Sequence, residues 1–171
     1  MTLEVMVRRA HHDTMFGYLF YWKIPETLPP VLRSVCHELR SANDQEDCLR
    51  RAYDIATRHF RASRWRTYGF LWKFLRLDPG RVWQCGCFAH CTHLNQAFAI
   101  LLVHSGWFTA SDITQHWTIL SGFSPHQYVR VRMKDGRSIA VDVWGRTYGV
   151  PFGECAHGFN ATTFPVWEND K

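Results

Sequence analysis

The chain has 171 residues, 46% hydrophobic and 20% charged, which excludes a disordered chain and suits one domain able to bury a sizeable core. Its net charge of +5 arises from 20 Lys and Arg against 15 Asp and Glu, and the arginines are spread along the whole chain rather than gathered in a stripe, which argues against a dedicated nucleic-acid binder. The longest apolar runs, near 16–22 and 97–103, are too short to cross a bilayer, so no membrane role is expected.

Met1-Thr2-Leu3-Glu4 carries no basic segment leading into an apolar core, so no secretory signal is expected. Six cysteines in a chain of this length do not form a disulfide framework, which makes a reducing, cytoplasmic setting the default. Thr2–Arg9 alternates loosely, as an edge strand does. Pro25, Pro29 and Pro30 break the chain before a helix expected over Val31–Arg40. Asn43 is placed to cap the next helix, with Glu46 completing a capping box. Leu49, Ala52, Tyr53, Ala56 and Phe60 then recur at helical spacing on one apolar face. The basic, aromatic stretch 61–81 suggests a short helix around Tyr68–Leu75, ended by the turn signal Asp78-Pro79-Gly80.

A helix is expected over Cys91–Ser105, with Leu94, Ala97, Phe98, Leu101 and Leu102 facing the core and Gly106 stopping it. The period then changes. Trp117–Leu120, Tyr128–Met133 and Ser138–Trp144 read as strands, with Asp135-Gly136 as a tight turn between the last two. Residues 145–171 read as mostly irregular. Helices followed by an antiparallel sheet make an α+β domain.

Thiol catalysis needs an ionisable sulfur, a base beside it and a group that orients the base. Cys91 heads its helix, where the macrodipole favours a thiolate. His126 opens one strand and Asp142 lies near the end of its partner. Folding at Asp135-Gly136 makes the two near cross-strand neighbours, and directly opposite residues lie about 4.5–5.5 Å apart at Cβ. Asp142 interrupts the apolar run Ile139-Ala140-Val141 and Val143-Trp144, so its carboxylate needs a buried partner, and His126 is the candidate.

This pattern resembles the transglutaminase-like superfamily, whose fold is papain-like. The helix-initial Cys91 with Gly106 four turns on, the strand His126-Gln127-Tyr128-Val129-Arg130-Val131 and the motif Ala140-Val141-Asp142 are each similar to that family's core. The likeness covers about residues 43–144 of a single domain over 1–171. Cys91-Thr92-His93-Leu94-Asn95-Gln96-Ala97-Phe98 and Val141-Asp142-Val143 also resemble arylamine N-acetyltransferases, which share a Cys-His-Asp core. Ala89 stands where the family usually has Gly. The resemblance implies acyl transfer at a peptide or protein amide through a thioester on Cys91. Hydrolysis (peptidase, amidase or glutamine deamidase) is favoured over transfer to an amine, and no metal or organic cofactor is called for.

Cys87 is the alternative nucleophile, since Gly86-Cys87 also resembles a nucleophile lead-in. Gln84 is a candidate oxyanion donor, with the Cys91 N–H as the other. Asn95, one turn after Cys91, is a candidate pocket residue, and Trp83 and Trp144 are candidate cleft walls. Cys85, Cys87, His90, Cys91 and His93, with Cys155 and His157, offer zinc-type donors but lack paired two-residue spacings. A zinc-stabilised or non-catalytic interaction domain is the rival reading.

Overall fold

A computed structural model describes residues 24–60, 78–86, 89–121, 123–158 and 162–165. The expected strand Thr2–Arg9, the expected helix Tyr68–Leu75 and the alternative nucleophile Cys87 lie outside them. The described residues form an α+β fold. Helices α1 (Arg33–Arg40), α2 (Gln45–His59), α3 (Pro79–Cys85) and α4 (Cys91–Ser105) precede strands β1 (Ile113–Leu120), β2 (Ser124–Arg132), β3 (Ser138–Val141), β4 (Glu154–His157) and β5 (Thr162–Pro165).

Local chemistry explains the helix boundaries. Pro30 opens a 3-10 turn, Pro30–Leu32, where its missing N–H costs nothing, and α1 follows, so the helix expected from Val31 is split in two. The cap of α2 falls one residue later than expected. Asp44 accepts the Asp47 N–H at 2.8 Å, and Asp47 reaches back to the Asn43 N–H at 2.9 Å. A carboxylate suits the positive helix start, while Glu46 is drawn instead to Arg50 at 2.8 Å and Arg137 at 2.9 Å. Asp78-Pro79-Gly80 begins a helix where a turn was expected. Asp78 accepts the N–H groups of Gly80 and Arg81 at 2.9 and 3.3 Å, and Pro79 takes the first helical position. Helix α4 keeps the expected limits and ends at Gly106, whose φ of 85° is left-handed.

All but two residues of α4, Val103 and His104, are buried. The helix lies between α1, α2 and α3 on one side and the sheet on the other. Phe98, Leu101 and Leu102 pack in one core with Ile113, Val129, Val131 and Val141. Each large aliphatic or aromatic side chain there contributes about 1.5–3 kcal/mol by leaving water.

Strands β1, β2 and β3 are antiparallel neighbours in that order. β1 starts at Ile113 rather than Trp117, directly after a 3-10 turn at Ala110–Asp112. β2 starts at Ser124, and β3 ends at Val141 rather than Trp144. The expected irregular tail contains the β4–β5 hairpin. Gly153 bridges to Ala140 on the outer edge of β3, and Gly158 bridges to Leu120 on the outer edge of β1. The segment between them therefore crosses the sheet on the side where Cys155 packs with Tyr128 and Ala140. No helix among the described residues is long and apolar enough to cross a membrane.

Candidate active site

Cys91 is the first residue of α4, after His90 at the N-cap. The N–H groups of a first helical turn have no intrahelical partner, so the start of α4 can donate to an anion formed beside this residue. Cys91 keeps 9% of its surface. Cys36, Cys48 and Cys155 are more deeply buried, and burial pushes all three thiols up, Cys36 and Cys155 to about 11. The Asp142 charge adds to the effect at Cys155. Cys85 is exposed at the end of α3.

The His126 Nε2–H donates to Asp142 Oδ2 at 2.7 Å, and both side chains are shielded from solvent. Asp142 is held on two more sides. Its Oδ1 accepts the Gly145 N–H at 2.7 Å, and its Oδ2 accepts the Ala156 N–H at 2.9 Å. Burial lowers the proton affinity of His126, but the Asp142 charge and hydrogen bond, together with the nearby Cys91, outweigh it. The imidazole pKa rises to about 10. With Nε2 committed to Asp142, Nδ1 is the ring nitrogen left for the sulfur. Trp144 packs on this imidazole with ring centroids 5.0 Å apart, and Tyr148 packs on Trp144 at 4.5 Å.

The His126–Asp142 pair forms by a different route from the expected one. Val129 lies opposite Val141 and Arg132 opposite Ser138, so the ladder is centred on Asp135 and His126 is not level with Asp142. The connection is the three-residue stretch Lys134-Asp135-Gly136, with Gly136 at φ 87° and the Met133 N–H donating to the Arg137 carbonyl at 2.8 Å. Asp142 leaves the ladder immediately after β3 and reaches His126 diagonally. Diagonal neighbours lie about 7–8 Å apart in the backbone, a gap that an Asp and a His side chain together can span.

The remaining candidates separate clearly. Asn95 is fully buried and lines no open pocket. It donates to the Gln127 carbonyl at 2.7 Å and lies 3.4 Å from Gln127 Oε1, tying α4 to the strand that bears His126. Trp83 is core rather than cleft wall. It stacks on His59 at 4.1 Å between centroids, and its carbonyl lies 2.7 Å from His59 Nε2. Gln84 is exposed on the last turn of α3. Among the described residues, no three His, Cys, Asp or Glu side chains converge to hold a metal.

Gly145 has no distinctive mark in the sequence. A Cβ there would lie 2.5 Å from Asp142 Oδ2 and 2.7 Å from its Cγ, so only glycine leaves room for the carboxylate. The signal was Asp142 followed three residues on by Gly145, a spacing that also suits an ordinary turn. The Ala156 donor had no local signal, because it depends on the strand crossing. Compared with known proteins, the chain matches no family model, no curated protein and no solved structure.

Proposed function

We propose that this chain is a cysteine-nucleophile enzyme of transglutaminase-like, papain-like fold that performs acyl transfer at peptide or protein amides. The observation that carries the reading is the buried 2.7 Å bond from His126 to Asp142, with Cys91 at a helix N-terminus near enough to act on the His126 imidazole. In this mechanism the Cys91 sulfur, having given its proton to His126, attacks the amide carbonyl carbon and forms a C–S bond. The negative charge passes to the carbonyl oxygen, where first-turn N–H groups of α4 can donate to it. Collapse breaks the C–N bond, and the departing amine takes the proton from His126 Nδ1. Asp142 holds the ring in place and balances its charge throughout. Water activated by His126 then cleaves the thioester, releasing the acid and restoring the thiol. An amine in place of water gives transfer through the same intermediate, and hydrolysis is the favoured outcome.

The test is turnover of a peptide-amide and glutaminyl-peptide panel, followed by release of amine or ammonia and by the mass of an acyl adduct on Cys91. The proposal expects turnover that Cys91→Ala abolishes. Turnover surviving Cys91→Ala would overturn it. So would stoichiometric zinc in purified protein with Cys91 inert to alkylation.

A further inference from the structure

We infer that Asn95 is a positioning residue of the proposed reaction: its amide fixes where the Cys91 helix stands along the His126 strand. The inference rests on the reading of Cys91 as nucleophile and His126 as its base, and adds the residue that sets their spacing.

Cys91 and His126 belong to different layers. The imidazole is fixed to Asp142, and Asp142 is fixed by the N–H groups of Gly145 and Ala156, so that whole unit is built on the sheet and the segments that follow it. The sulfur is built on α4. What holds helix and sheet together is largely apolar burial, in the core that contains Phe98, Leu102, Val129 and Val131. Burial of this kind has no direction. It sets how close the layers come and does less to fix a small slide along the strand. A hydrogen bond has both a direction and a narrow range of length.

Asn95 supplies such a bond beside the site. It lies one turn after Cys91 on the same side of α4, about 6 Å along the axis. Its Nδ2 donates to the Gln127 carbonyl at 2.7 Å and lies 3.4 Å from Gln127 Oε1, so the amide nitrogen faces two oxygens of the residue next to His126. Asn95 and Gln127 are fully buried, so bulk water does not compete for the bond. Gln127 also lies two residues beyond Val129–Val141, the last pair between β2 and β3, where β3 no longer braces the strand. A second joint is far away. Gln45 ties Trp107, after α4, to Lys134, after β2, donating to the Trp107 carbonyl and accepting the Lys134 N–H, each at 2.8 Å. That end can hold while the Cys91 end shifts, which leaves the spacing of sulfur and imidazole to Asn95.

Alkylation of the full chain tests this without a known substrate. Labelling of Cys91 by iodoacetamide is followed by peptide mapping in the wild type, Asn95→Ala, His126→Ala and the double variant. Exposed Cys85 is the reference, and buried Cys36 and Cys48 report on opening of the chain. A small displacement of sulfur from imidazole should slow Cys91 about fivefold in Asn95→Ala. In the His126→Ala background the same substitution should change nothing further, because Asn95 acts through the imidazole. The pH–rate profile of Asn95→Ala should move towards that of His126→Ala. A merely structural role has the opposite sign, since a loosened fold speeds Cys91 together with Cys36 and Cys48. Where Asn95→Ala does not fold, Asn95→Ser, which stays polar but is too short to reach Gln127, gives the same reading. A Cys91 rate unchanged or raised, or an equal slowing with and without His126, overturns the positioning role while leaving the nucleophile intact. Wild-type Cys91 no faster than Cys85 overturns the reading beneath it, and the positioning role with it.

Discussion

Gly145 and Asp142 are in contact so close that the space a Cβ on Gly145 would fill is already taken by the Asp142 carboxylate. The φ of Gly145 is not left-handed, so the glycine is needed for room rather than for backbone freedom. Gly145→Ala should displace Asp142 and turn His126. A misplacement of about 1 Å costs on the order of 100-fold in a positioned reaction. We expect a loss of that order in turnover and a slower alkylation of Cys91, with the far-ultraviolet circular dichroism spectrum unchanged.

Asp142→Asn keeps the shape of the side chain but removes its charge. His126 loses the principal influence raising its pKa, so the imidazole should titrate at lower pH in the variant, as read by NMR of the ring protons. Turnover should fall by about 10⁴-fold, because the orienting anion and the correct tautomer are lost together.

The same histidine makes stability depend on pH. Folded His126 holds its proton up to about pH 10, whereas an unfolded histidine releases it near the ordinary value of 6.5. Between these values the folded state binds more protons, so raising the pH weakens folding. The stabilisation is complete below about pH 6.5 and gone above about pH 10. Urea midpoints measured at pH 6 and pH 9 should therefore fall more in the wild type than in His126→Gln.

Cysteine labelling should fall into distinct rate classes. Cys36, Cys48 and Cys155 are buried with raised thiol pKa values and should react with iodoacetamide only as the chain opens. Cys91 should react fastest near neutral pH, and His126→Ala should slow it by 10-fold or more, on the order expected for loss of a paired base. Rates for Cys91 no greater than for exposed Cys85 would count against an activated thiol.

Asn95→Ala would leave the Gln127 carbonyl without its donor in a fully buried place. We expect a loss of about 1–3 kcal/mol in urea unfolding. Phe98→Ala, also fully buried, should cost more, about 3–5 kcal/mol.

Where these features were legible in the sequence, the signal was local. Helix α4 could be read from end to end because a continuous apolar pattern runs from Cys91 into a glycine that ends it. The pairing of His126 with Asp142 was legible as chemistry, since a carboxylate inside an apolar strand needs a partner. Its geometry was not, because a ladder centred on Asp135 leaves His126 two residues out of register with Asp142, and the centre of a turn leaves no mark on either strand. Asp78-Pro79-Gly80 is ambiguous for a physical reason: the residues that close a turn are also those that satisfy the first N–H groups of a helix. The β4–β5 hairpin was hidden because its strands are only four residues long and β4 sits between Gly153 and Gly158. What places β4 is bridging to Ala140 and Leu120, far away in the chain.

The strand that crosses the sheet has a consequence for timing. A ribosome makes Cys91 first, then His126, and only later the amide of Ala156 that fixes Asp142. A nascent chain thus carries its sulfur well before it has the means to arm it. In the proposed enzyme, the cell meets a reactive thiol only once the last crossing has closed.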